Sequence, residues 1–372
     1  MARTTQIKRK NMQIARFCRQ YLQLEPVVDF PDGEYLCDAF VQETLYEQLF
    51  SQDIKNPAPV RYQLKILKEL VKRIEASIED WDRHGLSDNL YTRLSHLLSL
   101  RLPSEADAAQ QKCYVTYHLS LLGCSSDGHA QEEEKGDPEP ARHVDDDQTL
   151  PVVLGDKAPH IITLLESRNL IAASGTTGLR TWEASLHLGQ YLLTRPSLVR
   201  GKRVLELGAG TGYVSILCAN YLGSKHVMAT DGSDEVVANL PDSLFLNGLQ
   251  GSDAVQPMEL RWGHALIGTE EEQWNGGREV DVVLGADITY DKSVIPALVG
   301  TIEEVFGLFP KAEVVIAATE RNRETYESFL SVCEGRGLEV VHAEFPVPPR
   351  AEQTGPFYND LMPIHICQLR RK

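Results

Sequence analysis

The stretch Arg203-Val-Leu-Glu-Leu-Gly-Ala-Gly-Thr-Gly-Tyr213 leaves the chain few ways to fold. Val204, Leu205 and Leu207 suit a strand buried in a parallel sheet, and Val214 to Ala219 continue as an apolar helix. Between them, Gly208, Gly210 and Gly212 let the backbone turn tightly against a ligand. A strand that runs through a glycine turn into a helix reads as a cradle for a nucleotide-containing cofactor.

The segment from Lys202 onward supplies the rest of such a sheet. Strands are expected over 203–208, 226–231, 254–262, 280–287, 313–319, 338–347 and 363–370, with helices over 212–222, 233–246, 292–308 and 323–336. Repeated crossovers imply an α/β fold with a seven-stranded, doubly wound parallel sheet. Only a proline-rich loop separates the last two strands, so these can pair antiparallel at an edge. Upstream, residues 160–173 read as two short strands turning near Ser167 to Asn169, and Trp182 opens a helix.

The N-terminal third has a different character. Ile14, Phe17 and Tyr21, and then Leu45 and Leu49, recur at helical spacing, and Tyr62 to Ile74 is amphipathic. Further helices are expected over 89–100 and 105–122, whereas the basic first ten residues read as a solvated tail. Between Asp127 and Asp147 nine acids face only Lys135 and Arg142, which is too polar a segment to offset its ordering entropy. The resulting organisation is a helical recognition region at 1–124, a flexible acidic linker at 125–148 and an α/β domain at 149–372.

A net charge of −16 argues against sequence-independent binding to nucleic acid, and no apolar run approaches the ~20 residues of a membrane span. Seven scattered cysteines without metal-ligand spacing fit reduced thiols in the cytoplasm, and no metal site is expected.

In a doubly wound sheet, ligands gather at the carboxyl ends of the strands where the strand order reverses. One such end is the glycine turn; a second is Asp231, placed to accept hydrogen bonds from ribose hydroxyls; a third is Gly285-Ala-Asp287-Ile-Thr-Tyr290. A dinucleotide fingerprint starting at Gly208 would require glycine where Tyr213 stands. The form running from Glu206 to Gly212 is instead that of S-adenosylmethionine-dependent methyltransferases. Glu206 then either accepts from the cofactor's ammonium or orders the loop. Trp182 either packs in the core or walls the cofactor pocket, and Trp262, at the end of the third strand, can stack on adenine.

Thr177-Gly-Leu-Arg180 with Trp182-Glu-Ala, Val204 to Gly212, Asn247-Gly-Leu249, Leu260-Arg-Trp262, Ala286 to Tyr290 and Arg321-Asn322 together resemble the family 16 protein methyltransferases. Within them, the block around Trp182, the helical extension and Arg321-Asn322 are most similar to the elongation factor 2 lysine methyltransferases, including fungal ones. The resemblance implies a Rossmann-like methyltransferase sheet and cofactor contacts from Trp182, Gly208, Ala209, Gly210, Asp231, Trp262 and Ala286, beside Glu206 and Gly212 of the motif. It identifies Asp287 to Tyr290 as the D-x-x-Y signature at the methyl-transfer centre, where Asp287 would hold a lysine amine by hydrogen bond and Tyr290 would wall or orient it. The expected enzyme is a monomeric cytoplasmic protein-lysine N-methyltransferase whose substrate is elongation factor 2. Methylation of another protein or a small amine, and a non-catalytic cofactor-binding scaffold, are the competing readings; a scaffold has no need for the glycine turn, Asp231 and the D-x-x-Y tetrad together.

Overall fold

The computed structural model describes residues 2–104, 111–123, 160–168, 177–264, 266 and 278–372. They divide into two compact units, one comprising Met1–Ala108, Cys113–Ile161 and Thr354–Pro356, the other Ala109–Lys112, Ile162–Gln353 and Phe357–Lys372. The acidic stretch at 125–148 lies outside the described residues.

The first unit is built on helices α1 (Ala2–Leu22), α2 (Gly33–Leu36), α3 (Ala39–Leu45), α4 (Val60–Ser77) and α5 (Asp88–Ser99). Ile14, Phe17, Cys18 and Tyr21 form one stripe of α1 and are buried with Leu67, Leu70 and Ile74 of α4 in a common core. The first ten residues are not an irregular tail: α1 begins at Ala2 and most of residues 4–10 stay exposed, while two of its basic side chains pair with carboxylates, Arg9 with Asp32 at 2.9 Å and Lys10 with Asp38 at 3.0 Å. The helix expected over 105–122 is also corrected. Cys113–His118 is a strand, β1, followed by the single turn α6 (Ser120–Gly123). Its Tyr-Val-Thr-Tyr run is β-branched and aromatic, with Val115 and Tyr117 fully buried, which favours a strand over the expected helix.

In the second unit, β2 (Ile161–Glu166) is the first of the two short strands expected there; the second falls outside the described residues. Next come α7 (Glu183–Thr194), β3 (Arg203–Leu207), α8 (Tyr213–Asn220), β4 (His226–Asp231), α9 (Asp234–Leu246) and β5 (Val255–Glu259). The chain continues through β6 (Val282–Ala286), α10 (Ile295–Leu308), β7 (Glu313–Thr319), α11 (Arg323–Gly335), β8 (Leu338–Ala343) and β9 (Ile364–Arg371).

Seven strands form one sheet in the order β5-β4-β3-β6-β7-β9-β8. The first five are parallel neighbours, and β9 runs antiparallel to both β7 and β8. The sheet is therefore mixed, with the last two strands paired as expected but β9 inserted inside the edge strand β8. Every residue of β6 is buried, as a central strand covered on both faces requires. Leaving β3 the chain moves outward through β4 and β5, then returns to the opposite side of β3 as β6. This reversal opens a crevice between the carboxyl ends of β3 and β6.

Candidate active site

A cavity of about 840 Å3 occupies that crevice. Its floor is the turn after β3. Gly208 has φ +67°, and a Cβ there would lie 2.6 Å from Cγ2 of Ile288; Gly210 has φ +54° and packs on the Gly178 carbonyl, which a Cβ would meet at 3.2 Å. Neither position accepts a side chain without strain, so the backbone from Gly208 to Thr211 faces the cavity directly.

Asp231 closes the end of β4. Its carboxylate accepts from the Gly210 backbone N–H at 3.2 Å and from that of Ser233 at 3.0 Å, which ties the glycine turn to the next strand. Burial raises its pKa, an effect opposed by these backbone N–H groups. Trp262, beyond β5, lays its ring edge over Gly208, 3.5 Å from where a Cβ would stand. Its Nε1 is buried and has no hydrogen-bond partner among the described residues. Trp182, the residue before α7, also lines the cavity; its Nε1 donates to the Thr177 carbonyl at 2.9 Å, and the guanidiniums of Arg180 and Arg321 lie 4.8 and 5.1 Å from its ring.

Opposite the glycines, β6 ends at Ala286, and Asp287 adopts the left-handed conformation at φ +55°. That turn places its side chain among four donors. Oδ1 accepts from Arg321 Nη1 at 3.0 Å and the Thr319 N–H at 3.3 Å, whereas Oδ2 accepts from Arg321 Nη2 at 3.2 Å and the Ala184 N–H at 3.2 Å. The Asp287 carboxylate thus joins the ends of β6 and β7 to the first turn of α7, whose N–H groups would otherwise lack acceptors. Arg321 extends the brace to Glu183 at 2.6 Å. Burial works against the Arg321 charge, but pairing with Asp287 and Glu183 outweighs it and raises its pKa.

Asp287 was expected to hold an incoming amine; in the structure both its oxygens are already filled from within the protein. Tyr290 stands at the cavity wall with 55% of its surface exposed. Of the residues singled out in the sequence, Trp182, Gly208, Ala209, Gly210, Asp231, Trp262, Ala286, Asp287 and Tyr290 line the same cavity. Glu206 and Gly212 do not. Glu206 is buried within β3, where it accepts from the Ser215 hydroxyl, and burial pushes its carboxyl up to about 8. That contact ties β3 to α8 and lies away from the cavity. Gly212 takes φ +85° as the residue before α8 and faces Leu240.

Sequence reasoning missed the partners of Asp287. Arg321 stands in the Arg321-Asn322 motif and Glu183 follows Trp182, but neither motif specifies the ion pair that the two form. Thr319, whose Oγ1 is buried without a partner among the described residues, carries no sequence signal beyond its place at a strand end.

Protein-lysine N-methyltransferase EFM3 of Chaetomium thermophilum is 61% identical over 363 residues, spanning 97% of this chain and 99% of that protein. The profile of the lysine methyltransferase family matches residues 166–336. The chain belongs to the lysine methyltransferase family. Among other members, EFM3 of Saccharomyces cerevisiae is 32% identical over 235 residues, 57% of this chain and 66% of that protein. Human protein-lysine N-methyltransferase EEF2KMT is 29% identical over 204 residues, 52% and 58% of the two chains. Methyltransferases of this family use S-adenosylmethionine, and the cavity fits it: the side-chain-free backbone at Gly208 and Gly210, the Asp231 carboxylate and the orphaned Trp262 Nε1 are complementary to its polar and aromatic parts. Among the described residues no helix is long and apolar enough to cross a membrane.

Proposed function

We propose that this lysine methyltransferase acts on a lysine of elongation factor 2 in the cytoplasm, as a monomer, with S-adenosylmethionine as donor. The observation that carries the reading is the single cavity into which the glycine turn and Asp231 on one side and the Asp287–Tyr290 segment on the other converge, in a chain that matches a fungal protein-lysine N-methyltransferase almost end to end. The motif resemblance to elongation factor 2 lysine methyltransferases and the identity to human EEF2KMT support the choice of substrate.

Asp231 would accept from the ribose hydroxyls, Trp262 would cover the adenine ring, and the backbone from Gly208 to Gly210 would approach the amino-acid portion of the cofactor. The bound cofactor supplies a methyl group already activated by its sulfonium. The protein's task is to deliver a neutral amine in line with that methyl. A lysine with a pKa of about 10.4 is charged at pH 7, and neutralising it costs roughly 4.6 kcal/mol. Removal from water into the crevice lowers that requirement. Asp287, neutralised by Arg321, serves as a fixed brace that holds the first turn of α7 and hence Trp182, while Tyr290 walls the approach at the rim. The first unit offers the extended surface that recognition of a large folded substrate needs, since one lysine side chain discriminates little.

The test is to incubate the protein and labelled cofactor with a lysate lacking this enzyme and to locate the label by mass spectrometry. A methylated lysine in elongation factor 2 is the expected result. Label on a different protein or on a small amine would refute the substrate assignment, and cofactor binding without any transfer would mark a scaffold.

A further inference from the structure

A second, smaller pocket of about 170 Å3 is lined by Glu183, Thr319, Arg321, Asn359, Met362 and Ile364. Thr319 and Arg321 also line the large cavity, so the two spaces share a wall. We propose that the smaller pocket receives the side chain of the target lysine, and that the Thr319 hydroxyl accepts an N–H of its amine at the methyl-transfer centre. The proposal rests on the reading of this enzyme as a lysine methyltransferase and adds the residue that orients the nucleophile.

The acceptors that border the two spaces decide the matter. Asp287 already takes four N–H groups, and one oxygen of Glu183 is held by Arg321 at 2.6 Å. Thr319 has committed its backbone N–H to Asp287, yet its Oγ1 is buried with no partner among the described residues. A buried hydroxyl left unpaired is costly, so a ligand that satisfies it gains what the missing partner had cost.

The rest of the pocket matches a lysine. Met362 and the buried Ile364 offer apolar surface to the four-carbon stem, and the partly exposed Glu183 carboxylate favours approach of the charged ammonium. A neutral hydroxyl is suited to the reactive form. The ammonium first releases one proton to solvent. The remaining N–H groups can donate to Thr319 Oγ1 while the lone pair stays free. That lone pair then forms the N–C bond as the S–C bond breaks with its electrons kept by sulfur, and the methylated ammonium later loses a proton to water. A carboxylate in the same place would instead stabilise the unreactive ammonium.

The experiment compares the wild type, Thr319→Val, Thr319→Ser and Met362→Trp as full-length chains. It reads cofactor affinity by calorimetry and methyl transfer to the protein substrate by single-turnover kinetics and mass spectrometry. Thr319→Val is nearly isosteric and should leave cofactor affinity unchanged while slowing transfer about tenfold, the loss expected of one hydrogen bond. Thr319→Ser should restore the rate. Met362→Trp, which fills the partly exposed end of the pocket, should raise KM for the protein substrate without changing cofactor affinity. Wild-type transfer rates in Thr319→Val, equal losses in the Val and Ser variants, or an unchanged KM in Met362→Trp would overturn the proposal. Wild-type labelling of a lysine in a protein other than elongation factor 2 would refute the substrate assignment alone, and the same comparison is then read on that protein. Absence of lysine labelling by the wild type would overturn both readings.

Discussion

Replacing Asp287 with alanine separates a brace from a group that acts on the substrate. The side chain is 6% exposed and takes four N–H donors, so its removal strips the Ala184 and Thr319 N–H groups of their acceptor and leaves Arg321 with Glu183 alone. A buried N–H left unsatisfied costs about 1–3 kcal/mol. The Arg321 side chain is 37% exposed and can rehydrate, so its contribution falls toward the ~0–1 kcal/mol of a surface pair. Water reaching part of the gap reduces the remainder, and the expected destabilisation is about 2–4 kcal/mol. Asp287→Asn keeps one acceptor but turns an NH2 group toward other donors, and should lose roughly half as much. Urea denaturation measures the stability, and a calorimetric titration with S-adenosylmethionine measures the second consequence, weaker cofactor binding as the start of α7 and Trp182 loosen. If the alanine variant keeps its stability to within about 0.5 kcal/mol and binds cofactor normally while losing transfer, Asp287 acts on the amine itself and the brace argument fails.

Trp262→Phe keeps an aromatic ring over Gly208 but removes the orphaned Nε1, and should weaken cofactor binding about two- to tenfold in the same titration; unchanged affinity would show that the indole N–H meets no cofactor atom. Glu206 predicts a pH effect. The folded state holds its proton up to about pH 8, whereas the unfolded chain releases it near 4.5, so the folded state binds more protons in that window. This residue's contribution to stability therefore falls as pH rises from 4.5 to 8, by at most about 1.4 kcal/mol per unit, and levels off above it. Glu206→Gln should lose that slope, seen as urea midpoints of variant and wild type that diverge across the window; parallel curves would contradict the burial of an uncompensated carboxyl.

The sequence made the fold legible where local and periodic signals coincide. Apolar β-branched runs that alternate with amphipathic helices produced the strands and helices from Arg203 onward with only small shifts at their ends. The signal was weaker over Cys113–His118, a six-residue strand-forming run inside a stretch expected to be helical. It also left unsettled which of the last two strands forms the edge, because insertion of β9 between β7 and β8 depends on which partner completes the buried ladder.

For the cavity, the sequence by itself pointed to the lining residues that a local motif imposes: the glycine turn, Asp231 at the next strand end, Trp182 and Trp262, and the Asp287–Tyr290 segment. Each is fixed by the conformation of a few consecutive residues or by its place at the end of a strand. Only the tertiary structure decided which donors surround Asp287, that Glu206 and Gly212 stay out of the cavity, and that the buried Thr319 hydroxyl has no partner among the described residues. Asp287 meets Ala184, Thr319 and Arg321 through separations of 103, 32 and 34 residues. Hydrogen bonds over such distances arise from how the sheet brings strand ends and a helix start together, which no local pattern of side chains encodes.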